Sequence, residues 1–188
     1  MKMDDPKTIE DLKESLRLFL KEKRRKVTKK HRDWAREDLY NELLPILALF
    51  PTVLSFASTE KEIDLWPINE VLAKEKKLLL PRVEGDEIVP YFVTDIENGL
   101  KLSKRKIREP DPARCEKADL SAIHCVLVPG LGFDSLKHRL GHGMGFYDRL
   151  LVKIPHTPAF GIGFKEQLIS DHLPTKNHDR RLTRLYLY

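Results

Sequence analysis

The sequence predicts an α/β domain with a largely parallel sheet flanked by helices and an amphipathic helix at the N-terminus. Short apolar runs alternate with stretches of helical periodicity, the order that βαβ units produce. The first of those stretches carries Ile9, Leu12, Leu16 and Phe19 at helical spacing, with Leu20 beside them. The length of 188 residues suits one domain, residues 1–188, with a core of useful size. A boundary near Pro110 would leave two halves that each look too small to stand alone.

The elements follow in order. A helix is expected from residue 8 to beyond residue 23, with Lys13 and Arg17 four apart on one face. From the residues alone, that face reads as solvated charge. A second helix is expected over 32–44, ended or kinked by Pro45. Residues 53–57 read as a short buried strand that ends at Ala57 and releases a polar loop over 58–62. Asp64 suits a helix N-cap, with the helix over 65–75. Residues 77–80 form a strand closed by Pro81, and 88–93 another, reached through a turn at Gly85-Asp86. Residues 101–112 are polar with two prolines and read as a surface connection with little regular structure. Residues 121–128 and 160–164 read as core strands, and 184–187 as a last one. Between them, Leu150, Leu151 and Ile154 suit a helix. Ligands of such sheets gather beyond the carboxyl ends of strands. The loops after residues 57, 128 and 164 are therefore expected to meet, bringing together Glu62, the glycine run described below and Gln167.

Composition narrows the function classes. The formal net charge of +5 favours anionic partners without choosing among them. Cys115 and Cys125 have no metal spacing and read as reduced structural thiols of a cytoplasmic protein. Charged residues fill the first twenty positions, so no secretory leader is expected, and no apolar run approaches membrane-spanning length. The basic stretch 21–32 is diluted by Glu37, Asp38 and Glu42, which favours a solvated helix over a nucleic-acid patch.

The chemistry concentrates in residues 128–148. Gly141, Gly143 and Gly145 stand at alternate positions between Arg139 and Asp148. Such a run can turn several N–H groups inward as an anion cradle, and a following helix adds its positive dipole end. Arg139 offers a planar fork for phosphate, and Asp148 a hard oxygen suited to Mg²⁺. The glycines do not directly follow a strand, so this is not a dinucleotide fingerprint, and no Gly-Lys-Ser/Thr marks a P-loop. His138 and His142 are four apart, but the intervening and adjacent glycines disfavour a zinc-binding helix.

The segment Val128-Pro129-Gly130-Leu131-Gly132-Phe133-Asp134, continuing through Arg139-Leu140-Gly141-His142-Gly143-Met144-Gly145-Phe146-Tyr147-Asp148, resembles the signature of the 5-formyltetrahydrofolate cyclo-ligase family. Lys13-Glu14-Ser15-Leu16-Arg17, Glu62-Ile63-Asp64, Gly163-Phe164-Lys165-Glu166-Gln167 and His178-Asp179 match outlying positions in the right order. Lys137 stands where the family pattern has glycine, and Thr183 where it often has aspartate. The resemblance implies ATP-dependent cyclisation of 5-formyltetrahydrofolate, with or without a polyglutamate tail, by a monomer that needs neither nucleic acid nor membrane. It implies that Lys13, Arg17, Arg139 and residues Leu140, Gly141, His142, Gly143, Met144, Gly145, Phe146 and Tyr147 hold ATP. It places Glu62 on the pterin, with Ala57, His142, Gly143, Met144, Gly145 and Phe146 lining the folate site. Asp148 and Asp179 would hold Mg²⁺, and Arg139 and Asp148 would serve the chemistry. Two other readings stay open: a nucleotide-binding paralogue without folate turnover, and an RNA-associated protein using residues 21–32.

Overall fold

The computed structural model of the chain describes residues 8–175 and 180–188. Helix α1 (Ile9–Arg25) starts at a reciprocal cap: the Thr8 hydroxyl accepts the Asp11 amide, and the Asp11 carboxylate accepts the Thr8 amide. Helix α2 (Lys29–Leu47) is capped by Thr28 and buries Ala35, Leu39, Leu43 and Leu47 along one stripe. Pro45 does not end α2. It lies in the last turn, where Ala48 N–H still reaches the Leu44 carbonyl at 3.0 Å. The proline forgoes only its own N–H bond back along the helix, and the turn that follows it stays closed.

Strand β1 (Val53–Leu54) and helix α3 (Trp66–Lys74) follow. The helix begins one residue later than expected, but the Asp64 carboxylate still accepts the Trp66 amide at 2.9 Å. Strands β2 (Leu78–Glu84) and β3 (Glu87–Phe92) form a hairpin that runs through Pro81, which faces Pro90. The two positions that lack an N–H stand opposite each other. Residues expected to be irregular instead form a second hairpin, β4 (Leu100–Leu102) with β5 (Arg108–Pro110). Its turn closes because Lys106 takes φ 60°, a conformation that lysine rarely advertises in sequence. Strand β6 (Glu116–Lys117) leads to a 3-10 turn at Leu120–Ala122, which replaces the first part of the expected 121–128 strand. The remaining elements are β7 (Val126–Pro129), β8 (Gly132–Asp134), β9 (Arg139–Leu140), helix α4 (Phe146–Lys153), β10 (Ala159–Gly163), β11 (Leu168–Ile169) and β12 (Arg184–Leu187).

The main sheet has the order β12-β10-β7-β1-β2-β3-β6. The pairs from β12 to β2 are parallel, and β2–β3 and β3–β6 are antiparallel. Alternate residues face opposite layers. Val53, Leu78, Leu80, Leu127 and Ile162 pack with α2 and α3, whereas Leu54, Leu79, Val126, Val128 and Ala159 pack with α4. A small sheet, β11-β8-β9, lies against α1 through Leu20, Leu131, Leu140 and Leu173. Among the described residues no helix is long and apolar enough to cross a membrane.

The face of α1 differs from expectation. Its buried residues are Lys13, Arg17, Leu20 and Arg24, while Ile9, Leu12 and Phe19 are exposed. The charged face, not the apolar stripe, meets the body of the protein.

Candidate active site

Strand β1 is the switch point of the sheet. The chain runs from β1 through α3 to β2 on one side, and β7 lies on the other. A crevice opens beyond strand ends at such a point. From β1 the chain enters residues 55–62, and from β7 it enters the β8–β9 hairpin and the glycine loop. α1 stands alongside.

Arg139 opens β9 with its side chain only 7% exposed. One guanidinium nitrogen lies 2.5 Å from Asp148 Oδ1, another donates to the Pro129 carbonyl at 3.4 Å, and the group sits 5.5 Å from the centre of the Tyr147 ring. Asp148 is the third residue of α4, and the residue before that helix is Gly145 in a left-handed conformation, so Asp148 is not its cap. It adds an acid to the first turn and anchors Arg139.

The glycine loop is pressed between two arginines. A Cβ on Gly141 would lie 2.7 Å from Arg139 Nη1, and one on Gly143 would lie 3.4 Å from Arg17 Cζ. Gly143 and Gly145 also have φ of 96° and 66°, where other residues are strained. Arg17 Nε donates to the Gly141 carbonyl at 3.2 Å, and its Nη1 pairs with Glu14 at 2.9 Å and Glu10 at 3.2 Å. Lys13 is buried on the same face. Thus Lys13, Arg17, Arg139, Asp148 and the glycines converge.

The remaining residues of the loop divide. Leu140 is buried in the α1 cluster and its carbonyl accepts the Leu131 amide, so it serves packing. His142, Gly143 and Met144 are exposed at the loop surface. Loss of hydration, then the Arg24 charge and more weakly Lys21 and Arg139, hold His142 below the ordinary imidazole range, against an opposing pull from Glu62. Part of its side chain remains open to solvent. Phe146 lies between two cations, with Arg105 and Arg149 at 5.2 and 5.3 Å from its ring centre. Burial raises the Tyr147 hydroxyl well above the usual tyrosine range, opposed by Arg139 and assisted by Glu62.

Glu62 and Ala57 approach from the β1 side. Glu62 Oε2 accepts the amide and hydroxyl of Thr59, each at 2.9 Å, and Oε1 lies 4.0 Å from Arg24 Nη1. Ala57 is buried, and Asn69 donates to the Phe56 carbonyl beside it, fixing the start of the loop. Arg24 was not anticipated. Its spacing from Lys13, Arg17 and Leu20, at intervals of four, three and four, is the signal that marks it as part of one helix face.

Other motif residues are structural. Gln167, expected in the crevice, donates to the Gly130 carbonyl at 2.7 Å and accepts the Phe164 amide at 2.8 Å, clamping the β7–β8 connection. Asp134 is fully buried and accepts from the amides of His138 and Leu173 and from the His138 ring. Lys137 takes φ 66° in the tight turn before β9, which accounts for the glycine of the family pattern there. Asp179 and His178 lie outside the described residues. Among the described residues no group of three or more metal-ligating side chains occurs. Mg²⁺ needs few protein carboxylates when phosphates and water complete its shell, so the lone Asp148 is compatible with it.

A family model described as the 5-formyltetrahydrofolate cyclo-ligase family matches residues 9–187. The chain belongs to that family. The 5-formyltetrahydrofolate cyclo-ligase of Escherichia coli K12 is 30% identical over 142 residues, covering 72% of this chain and 76% of its own. The 5-formyltetrahydrofolate cyclo-ligase of Mycolicibacterium smegmatis is 26% identical over 178 residues, 92% of each chain. The solved 5,10-methenyltetrahydrofolate synthetase of Aquifex aeolicus is 31% identical and superposes with a TM-score of 0.81 over 93% of this chain and 88% of that one. In this cyclo-ligase family member the Arg139–Asp148 pair and the glycine loop lie beside the switch point of the sheet.

Proposed function

We propose that this protein converts 5-formyltetrahydrofolate and ATP to 5,10-methenyltetrahydrofolate, ADP and phosphate. The observation that carries this reading is the glycine loop held between Arg17 and Arg139, with Glu62 near enough for its charge to act on His142 and Tyr147 of the same segment. A polyphosphate fits a cradle of N–H groups flanked by guanidinium forks. A heterocycle with N–H donors fits a carboxylate fixed by Thr59.

The chemistry explains why both ligands belong in one crevice. A formyl amide is a poor electrophile, and its oxygen leaves poorly. Transfer of the γ-phosphoryl group to the formyl oxygen releases ADP and makes that oxygen a leaving group. N10 then attacks the formyl carbon and loses its proton, the C–O bond breaks, and phosphate departs. Both steps depend on alignment and charge neutralisation rather than on a protein nucleophile. Arg139, steadied by Asp148, would stabilise the transferring group, while Lys13, Arg17 and the loop hold the nucleotide. Glu62 would orient the pterin. Ala57, His142, Met144 and Phe146 would bound the folate. Asp148, with Asp179, would hold Mg²⁺, which would neutralise phosphate charge.

Incubating the protein with 5-formyltetrahydrofolate, ATP and Mg²⁺ tests the reading. The near-ultraviolet absorbance of the methenyl product should rise only when all three are present, with one ADP formed per product. ATP hydrolysis without folate consumption would refute it.

A further inference from the structure

We propose that Arg24 reads the pterin carbonyl of the folate, completing with Glu62 a matched pair for one edge of the ring. The inference rests on the folate reading above. Arg24 is 5% exposed, and its Nη1 is a buried nitrogen without a hydrogen-bond partner. Buried donors are almost always satisfied, because an unmade bond costs the full desolvation of the group. Burial is the main influence disfavouring the Arg24 charge; Glu62 supports the charge and Arg32 opposes it. A fold retains such a group at a cost, so a partner absent from the free protein is implied.

The surroundings say which partner. Nη1 faces Glu62 Oε1 at 4.0 Å, too far for a hydrogen bond. Neighbouring atoms of a single ring edge can be contacted by the two groups together. An ionised carboxylate has about four acceptor positions; Thr59 takes two, leaving two for a ligand. The pterin edge presents its 2-amino group and N3–H as donors and its 4-oxo group as an acceptor. Glu62 matches the donors, and the unpartnered Nη1 matches the acceptor.

The placement is built in. Arg32 donates to the Arg24 carbonyl at 2.9 Å and to the Glu60 carbonyl at 3.1 Å, fastening the end of α1 to the loop that carries Glu62. Arg24 also lies two turns along α1 from Arg17, about 10 Å at 1.5 Å per residue. That separates it from the phosphate end of the same face. One helix thus addresses the nucleotide with Lys13 and Arg17 and the folate with Arg24.

The experiment compares the wild-type protein with Arg24→Met and Arg24→Lys. It measures binding of 5-formyltetrahydrofolate, binding of a non-hydrolysable ATP analogue, and the melting temperature without ligand. Arg24→Met should weaken folate binding by about tenfold or more, the usual worth of a hydrogen bond from a charged donor. ATP-analogue binding should stay within about twofold, and the ligand-free melting temperature should not fall, because no protein hydrogen bond of Nη1 is lost. Arg24→Lys should recover part of the folate affinity. Unchanged folate binding in Arg24→Met, an equal loss of the ATP analogue, or a lowered melting temperature would overturn the assignment. Absence of folate binding by the wild-type protein would instead overturn the folate reading beneath it.

Discussion

Arg139 is held by Asp148, the Pro129 carbonyl and the Tyr147 ring, so its fork is fixed before any ligand arrives. Preorganised charge of this kind typically supplies several kcal/mol to a phosphoryl-transfer transition state. Arg139→Ala should therefore cut turnover roughly a hundredfold or more. Arg139→Lys should restore only part, since an ammonium lacks the planar fork. Steady-state rates on folded protein check this, and near-normal turnover in Arg139→Ala would reduce the loop to a packing device. Asp148→Asn is the companion test. Asn can still accept from Arg139 but loses the charge facing a buried guanidinium, so stability should fall by about 1–3 kcal/mol, while most activity is lost and more Mg²⁺ is needed. An unchanged Mg²⁺ requirement would leave Asp148 as the anchor of Arg139 alone. At this scale the site residues were readable where a residue type is tied to one kind of chemistry, as with Arg139 and the glycines. Arg24 was not readable because it meets Glu62, which is distant in sequence, and Thr59 was not because its hold on Glu62 depends on the turn between them. Lys106 and Lys137 likewise concealed turns that glycine would have announced.

The N-terminal helix shows what periodicity can and cannot say. Ile9, Leu12, Leu16 and Phe19 correctly mark a helix, yet Ile9, Leu12 and Phe19 stay exposed. Apolar spacing finds the face that would bury itself in a uniform core. It does not anticipate a helix whose inward face carries Lys13, Arg17 and Arg24, with Leu20 as the apolar anchor. Leu20 packs so closely on Gly132 that a Cβ there would lie 2.4 Å from its Cδ1. Leu20→Ala should cost about 2–5 kcal/mol and weaken ATP binding by loosening α1. Phe19→Ser, on the neighbouring exposed position, should change stability by no more than about 0.5 kcal/mol. Urea unfolding of the two variants checks the contrast, and similar losses would place the wrong face inward. Helices α2 to α4 were legible because their buried stripes follow the usual rule. The β4–β5 hairpin was not, since its strands are short and half exposed.

For the whole molecule, the parallel core of the sheet followed from the alternation of elements. The antiparallel extension through β3 and β6 did not, because hairpin pairing depends on turns and register rather than on hydrophobic runs. The assembled structure also sets a pH response. Burial alone would raise Asp134, but the amides of Leu173 and His138 and the His138 ring outweigh it and hold the carboxyl below its usual range. His142 is likewise held below its usual range. A lowered value in the fold means stability that is complete above the unfolded value and is lost as pH falls through the folded one. The urea midpoint should thus hold above about pH 6.5, decline below it through His142, and decline further below about pH 4 through Asp134. His142→Gln should remove the upper decline and leave the acid limb. A midpoint profile identical in the variant would show that His142 is not coupled to folding.

The proposed reaction depends on one event, transfer of the γ-phosphoryl group to the formyl oxygen. Substrate carrying ¹⁸O in the formyl group tests it directly, by mass analysis of the phosphate released as the methenyl product forms. One ¹⁸O in each phosphate is the predicted result. Unlabelled phosphate released alongside the methenyl product would mean that the formyl oxygen was never phosphorylated, and would contradict the proposed mechanism.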